Sequence, residues 1–524
     1  MCFIPFSFSK IIKNFLFLSL ITFLLILPDL FFSIFNSFNK SFSLKNIALL
    51  FFAATVLQCI NDKKIRFIFY SLLLLVYFAE FAYISYFGVA PTNYTYIWMI
   101  KEVKDGLDGS LNSLHLYYVP LCVLIPFSLI FYLDHKFANN LPHNKLSTAL
   151  FALTTIFMAT DINSKNGFIN KISTSDLLTG LSSINKIGFI AFDALPGIAM
   201  ADDTLGDFQP YSIEKINSAN KINIIYIFGE SANPNYMSLY GYNKNTTPFL
   251  NNFKNDPTFW YQKGYSSAVS TMFSLKMNFH LQREPENTSV YGNKNTDLFQ
   301  LINNAGFSSW LIKAQSAGPE SEGNIDNIID AVKQFKIHGE EIVVDYFPNK
   351  KLLKDKNFIV YHQDIMHFTY NKHYKMHNEK WQTFKPTDNS IASKSITDYL
   401  NAINYWDHIN QNIFNYAAEI AEHTKAPTYI IFMSDHGELI EGKIKGHSML
   451  NKGVAEIPFF IKCFNCKKLD LFNDIKTPTH YRINEKVLNL IGYKLNNPND
   501  DGKTFYINGN NLAGKDGFIT LTDK

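Results

Sequence analysis

Apolar residues crowd the first third of the chain and thin out after it. Five apolar segments, residues 14–35, 44–60, 67–87, 116–133 and 146–160, stand out against polar connections. A bilayer-crossing helix needs about 20 apolar residues. The first, third and fourth segments reach that length, and the second and fifth must borrow flanking residues. The first segment follows Lys10 and Lys13 as a signal peptide would. Its apolar run is too long, however, and no small-x-small cleavage site follows, so it is expected to stay. Beyond Lys221 the pattern becomes strand, loop, helix, repeated, which argues for an α/β domain. Strands are predicted at 223–228, 308–313, 358–361, 428–433 and 458–461, and helices at 296–304, 324–335 and 391–423. The expected organisation is a five-helix transmembrane domain over 1–161, a linker with helices along the membrane surface over 162–220, and an α/β domain over 221–524.

Charge orients the membrane part. With five spans, Lys10 and Lys13, then Lys63, Lys64 and Arg66, then His135, Lys136 and Lys145 fall on one side. Positive residues favour the cytoplasmic side. Everything after Asp161 is then external, as is the 88–115 loop with Tyr94, Tyr96, Trp98 and charges from Lys101 to Asp108. Those aromatics suit a membrane interface, whether or not the loop handles lipid. Glu80 lies inside the third segment, where an acid is a functional candidate, or, near the outer end, a snorkelling side chain. A net charge of +3, with no basic stripe, excludes nucleic acid as a partner. Of five cysteines, Cys2, Cys59 and Cys122 sit in the apolar third as small hydrophobes. Cys463 and Cys466 are two short of a four-thiolate zinc site and read as a local disulfide in an external domain, or as reduced spectators.

The chemistry gathers where predicted strands end. The run Ile222 to Phe228 is apolar on both faces and stops at Gly229, with Glu230 next. In an open α/β sheet, ligands bind beyond the carboxyl ends of the strands. Lys313 ends the second strand, His362 and then His367 follow the third, and Ser434, Asp435, His436 and Gly437 follow the fourth. Carboxylates and imidazoles on one rim suit zinc or manganese. Asp435 and His436 can serve one ion if the backbone turns sharply, which Gly437 permits. A nucleophile is expected among the hydroxyls of Ser266 to Ser274, ahead of a helix through Leu275, Met277 and Phe279. Thr271 is favoured, with Ser270 and Ser274 as rivals. A phosphate formed there would meet helix N–H groups.

These residues, taken in order, resemble a known family. Gly229-Glu230-Ser231, Ser238 to Tyr242, Asn245 to Pro248, Ser270 to Ser274, His362 to Tyr370 in the pattern H-x4-H-x2-Y, and Ser434 to Glu438 with His447 beyond are similar to the membrane phosphoethanolamine transferases. The resemblance implies an alkaline-phosphatase or sulfatase-like periplasmic domain on a bacterial inner-membrane anchor. It implies one zinc ion, and leaves a second open, held by Glu230, Thr271, Asp435 and His436. Thr271 would take phosphoethanolamine from phosphatidylethanolamine, release diacylglycerol, and pass the group to lipid A or a lipopolysaccharide core acceptor. His367 and His447 would contact the phosphoryl group or a second zinc, stabilising transition-state charge or transferring a proton, and the membrane part would present both lipids to a monomeric enzyme. Where the family carries an Arg after the first motif this chain has Asn233, Pro234 and Asn235. Lys276 stands at a common proline, and Ile365 or Met366 at a glycine. The alternatives are a phosphoglycerol transferase of the same fold and a catalytically silent membrane scaffold.

Overall fold

The computed structural model describes residues 8–36, 42–101, 120–137, 149–153, 155, 177–191, 206–216, 221–292, 296–314, 333–336, 343–375 and 381–523. The chain divides into two compact units, Met1–Ala201 and Asp202–Lys524.

The first unit is helical. It contains α1 (Phe8–Asn36), α2 (Leu44–Gln58), α3 (Lys63–Phe87), α4 (Asn93–Lys101), α5 (Leu124–Phe137) and α6 (Thr179–Phe189). Among the described residues two helices, Ile11–Ile34 and Lys63–Phe87, are long and apolar enough to cross a membrane. The fourth expected span is helical from Pro120, its earlier residues lying outside the described ones. Of the fifth, only 149–153 and 155 are described. Of the 88–115 loop, residues 88–101 are described and include α4. Glu80 does not snorkel: it is fully buried, its carboxylate 2.5 Å from Lys186 Nζ on α6 and 3.1 Å from Ser182 Oγ. Arg66 is buried too, paired with Asp134 at 2.8 Å. Asp29 of α1 accepts from the Thr179 N–H at 2.9 Å, tying down the start of α6. Apolar helices supply no charge partner except one another, so these pairs fix which helices meet.

The second unit is built on a seven-stranded sheet. In chain order its strands are β2 (Asn223–Gly229), β3 (Phe259–Tyr265), β4 (Ser308–Lys313), β5 (Lys333–Lys336), β6 (Asn357–His362), β7 (Thr428–Ser434) and β8 (Glu456–Phe464), in spatial order β3-β8-β7-β2-β6-β4-β5. From β7 to β5 the pairings are parallel, while β8 runs antiparallel to both its neighbours. All five predicted strands are present. The helix expected over 324–335 is corrected at its end: 333–336 form the edge strand β5, and the rest lies outside the described residues. Pairing with β4 outweighs the helical spacing there. β3 escaped the sequence reading because Phe259, Trp260, Tyr261, Gln262 and Lys263 lack the apolar run of a central strand.

Burial on both faces explains why β2, β6 and β7 read as continuous apolar runs. Ile224, Tyr226 and Phe228 pack with Val360, Met433 and Ile461 on one face, beneath α7 (Thr271–Phe279), α8 (Leu298–Asn304) and α9 (His480–Leu490). Ile225, Ile227, Ile359 and Phe432 pack on the other against the long helix α10 (Ile391–Thr424), through Tyr399, Ile403, Trp406, Ile409 and Ile413. Two antiparallel pairs complete the unit. One joins β1 (Ser212–Lys215) to β9 (Tyr493–Asn496), so residues before 221 belong to this unit's secondary structure. The other joins β10 (Thr504–Asn508) to β11 (Phe518–Thr522). Cys463 and Cys466 form a disulfide.

Candidate active site

Parallel pairing puts the carboxyl ends of β2, β6 and β7 on one edge of the sheet. The two antiparallel steps through β8 bring the end of β3, Tyr265, to the same edge. The hydroxyl-rich run 266–274 therefore also follows a strand end. Glu230 leaves β2 fully buried, and Ser231 turns the chain through a left-handed φ of 51°. That conformation costs a non-glycine residue about 1 kcal/mol or more. It is held by the Ser231 N–H donating to Asp435 Oδ1 at 3.0 Å and the Ser231 hydroxyl donating to Glu230 Oε1 at 2.6 Å. Asp435 is aligned by its own N–H donating to the Gly229 carbonyl, 2.9 Å, and by the His436 N–H donating to Oδ1, 2.6 Å. Gly437 does not serve through a left-handed turn. A Cβ there would lie 2.5 Å from the Glu456 carbonyl oxygen, so glycine is required by close packing against β8.

Thr271 opens the nine-residue helix α7. Its hydroxyl lies 2.6 Å from Asp435 Oδ2, 3.3 Å from Glu230 Oε2 and 3.2 Å from His436 Nε2. The rival hydroxyls point elsewhere: Ser270 donates to Asn510 at 3.0 Å and Ser274 to the Ala268 carbonyl at 3.0 Å. His436 Nδ1 is 2.9 Å from the Gly437 carbonyl, which only accepts, so Nδ1 carries the proton. Nε2 then turns a lone pair toward Glu230 Oε1 at 3.5 Å and Asp435 Oδ2 at 3.3 Å. Burial, and then the neighbouring His447, bring the His436 pKa down to about 4, so the ring is neutral at pH 7. Burial and the Glu230 charge push Asp435 well above the usual aspartate range. Burial would raise Glu230 as well, but His436, His367 and His447 bring it down to about 2. Electron-rich atoms of Glu230, Asp435 and His436 lie within 4.8 Å of one another in a fully buried site. Such a donor set fits a divalent cation of the zinc type.

His447 and His367 stand beside this group. The His447 ring stacks on His436 with centroids 4.4 Å apart, and His367 lies 6.4 Å from His447. His362 is buried against Phe228 instead, and burial lowers its pKa to about 4. Two residues given no role by the sequence reading complete the surroundings. Glu438 holds His447 Nδ1 at 2.7 Å and accepts from the Tyr370 hydroxyl at 2.9 Å. Glu438 lies within a quoted motif, so the signal was present without an assignment. His480 donates from Nε2 to the Ser434 carbonyl at 2.7 Å and accepts the Ser267 N–H at Nδ1, 3.2 Å, lashing the segment before Thr271 to the segment before Asp435. Only the folded chain shows that.

Comparison with known proteins agrees with this architecture. Residues 222–463 match the family described as Sulfatase. The Kdo(2)-lipid A phosphoethanolamine 7''-transferase of Salmonella typhimurium is 26% identical over 229 residues, covering 41% of this chain and 39% of that protein. The enzyme of the same name from Escherichia coli K12 is 23% identical over 269 residues, covering 49% and 46%. These matches span less than half of either relative's length. The structure of the integral membrane lipooligosaccharide phosphoethanolamine transferase A from Neisseria meningitidis superimposes with a TM-score of 0.60 at 15% identity, covering 91% of this chain and 95% of that one. Residues 222–463 are thus similar to the Sulfatase family, and the chain shares its fold with the integral membrane lipooligosaccharide phosphoethanolamine transferase A of Neisseria meningitidis.

Proposed function

We propose that this protein transfers phosphoethanolamine from phosphatidylethanolamine to lipid A or a lipopolysaccharide core acceptor, through a covalent phosphothreonine at residue 271. The observation that carries the reading is the Thr271 hydroxyl, set at a helix start within 3.3 Å of Glu230, Asp435 and His436. Glu230, Thr271, Asp435 and His436 would hold zinc. When bound, that ion would ease ionisation of the threonine hydroxyl and offset charge on phosphoryl oxygens.

The residues supply the rest. Thr271 Oγ attacks the headgroup phosphorus, forming an O–P bond as the bond to the diacylglycerol oxygen breaks. Asp435 Oδ2, 2.6 Å away, is the acceptor for the hydroxyl proton. His447, its Nδ1 fixed by Glu438, keeps Nε2 for delivering a proton to the departing diacylglycerol oxygen. In the second half the acceptor hydroxyl gives its proton to His447 Nε2 as its oxygen takes the phosphoryl group, the O–P bond to Thr271 breaks, and Asp435 returns the proton to the threonine oxygen. His367 and His447 contact the phosphoryl group in both halves. One covalent site can thus serve two lipids in turn. The second unit would stand in the periplasm and the first in the bacterial inner membrane, as a monomer.

Mass spectrometry of protein purified with zinc from a membrane rich in phosphatidylethanolamine tests the reading. A phosphoethanolamine adduct on the peptide containing Thr271, missing from Thr271→Ala, is the expected result. Glycerol phosphate on that peptide would replace the donor assignment, and no adduct on either protein would sink the covalent scheme.

A further inference from the structure

The serine that precedes Thr271 does not do what a serine there usually does. At the residue before a helix, a serine hydroxyl normally accepts a hydrogen bond from one of the first backbone N–H groups. Ser270 has the extended backbone of such a cap, φ −151° and ψ 154°, yet makes no side-chain cap bond. Its hydroxyl instead donates to Asn510 Oδ1, 3.0 Å away, and both residues are buried. Asn510 is itself fixed. Its Nδ2 donates to the Ser448 carbonyl at 2.9 Å, and its backbone N–H donates to Asp516 Oδ2 at 2.9 Å. The segment around it is laced to the nucleophile run: the Asn508 N–H donates to the Ser267 carbonyl at 2.8 Å and the Val269 N–H to the Asn508 carbonyl at 3.2 Å. Asn510 lies beyond residue 463, where the sulfatase match ends.

The first N–H groups of a helix are bonding groups without internal partners, and they favour a phosphoryl oxygen. A serine capping its own helix would compete for the same donors. We propose that Asn510 is a positioning residue that draws the Ser270 hydroxyl off the start of α7, leaving the backbone N–H groups there open to the phosphoryl group on Thr271. This rests on the proposed function, since it takes Thr271 as the phosphoryl carrier. The C-terminal hairpin thereby sets the reactivity of a helix more than two hundred residues earlier in sequence.

The test is the single-turnover rate of adduct formation at Thr271 by zinc-loaded, full-length protein with phosphatidylethanolamine vesicles. Five proteins are compared: parent, Thr271→Ala, Ser270→Ala, Asn510→Ala and the Ser270→Ala/Asn510→Ala double variant. In Asn510→Ala the freed hydroxyl caps the helix, and the rate should fall on the order of tenfold, the equivalent of a cap worth about 1.4 kcal/mol. Ser270→Ala has no hydroxyl to compete and should stay within about threefold of the parent. The double variant should recover to the Ser270→Ala rate, a rescue that simple loss of structure does not produce. Asn510→Gln keeps an amide oxygen for Ser270 and an amide N–H for the Ser448 carbonyl, and is the second variant should the alanine protein not fold. It should retain most of the rate. The proposal is overturned if Ser270→Ala is as slow as Asn510→Ala, if the double variant shows no recovery, or if a folded Asn510→Gln falls as far as Asn510→Ala was expected to. An adduct formed normally by Thr271→Ala would defeat the nucleophile assignment instead, separating the two failures.

Discussion

Binding of zinc to the metal-stripped protein at pH 7 should release about one proton, and the two buried carboxylates are the reason. Glu230 and Asp435 offer oxygens no more than 4.8 Å apart. Two like charges at that spacing repel by about 3.5 kcal/mol at the effective dielectric constant of about 20 that suits protein sites. Burial first, and this repulsion after it, push Asp435 well above the ordinary aspartate range. His436, with its pKa lowered to about 4 by burial and by His447, is already neutral and has no proton to give up. A cation entering the group should displace the Asp435 proton, and its affinity should rise about tenfold per pH unit while that carboxyl remains protonated. The sign for stability follows. A carboxyl whose folded pKa is raised holds its proton more tightly folded than unfolded. The metal-stripped protein should therefore lose stability as pH climbs above the ordinary aspartate range, and the zinc-loaded protein should not. Titration calorimetry in two buffers of different ionisation enthalpy measures the proton count. Asp435→Asn should remove the release. A second proton, lost in Thr271→Ala, would mean that the threonine hydroxyl ionises as well. Zero protons from the parent at pH 7 would refute the account of the carboxylate pair.

Other outcomes are expected at some distance from that centre. Thr271→Ala should form no covalent adduct and lose transfer activity by at least a thousandfold, on the scale of other nucleophile deletions, about 4 kcal/mol in the barrier; mass spectrometry and a headgroup-transfer assay check this. Asp407 on α10 accepts from the N–H groups of Phe249 and Leu250, yet burial lifts its pKa to about 7. Its folded pKa is the higher, so its contribution to stability is full below the unfolded value and fades as pH rises toward 7. Asp407→Asn offers one acceptor oxygen for those two N–H groups and should be less stable than the parent near pH 4, but the parent's loss of stability between pH 4 and 8 should be absent from it, so that the gap narrows or reverses, as measured by denaturant unfolding. In the helical unit, Lys186→Met removes the cation paired with the buried Glu80 and should cost about 3 kcal/mol. Adding Glu80→Gln should return most of the loss in thermal unfolding of the detergent-solubilised protein.

The sequence by itself determined the strands that are buried on both faces and the residues at their ends. An apolar run such as Ile224 to Phe228 has few ways to be satisfied other than in the middle of a sheet, and Glu230, His362 and Asp435 then sit at its rim by covalent necessity. It also marked Thr271, through a hydroxyl run ahead of a helical pattern. Local pattern could not choose among neighbouring hydroxyls, because Ser270, Thr271 and Ser274 are chemically close and only the direction of each side chain tells them apart. The edge strands β3 and β5 were illegible for a related reason: their partly polar faces carry no run, and pairing with β8 and β4 decides them. Tertiary structure alone decided that Glu80 is paired instead of snorkelling, that Gly437 is there for packing, and that His480 and Asn510 hold the segment before Thr271. Each of those facts is a contact between residues far apart in sequence, made by side chains whose partners no periodicity announces.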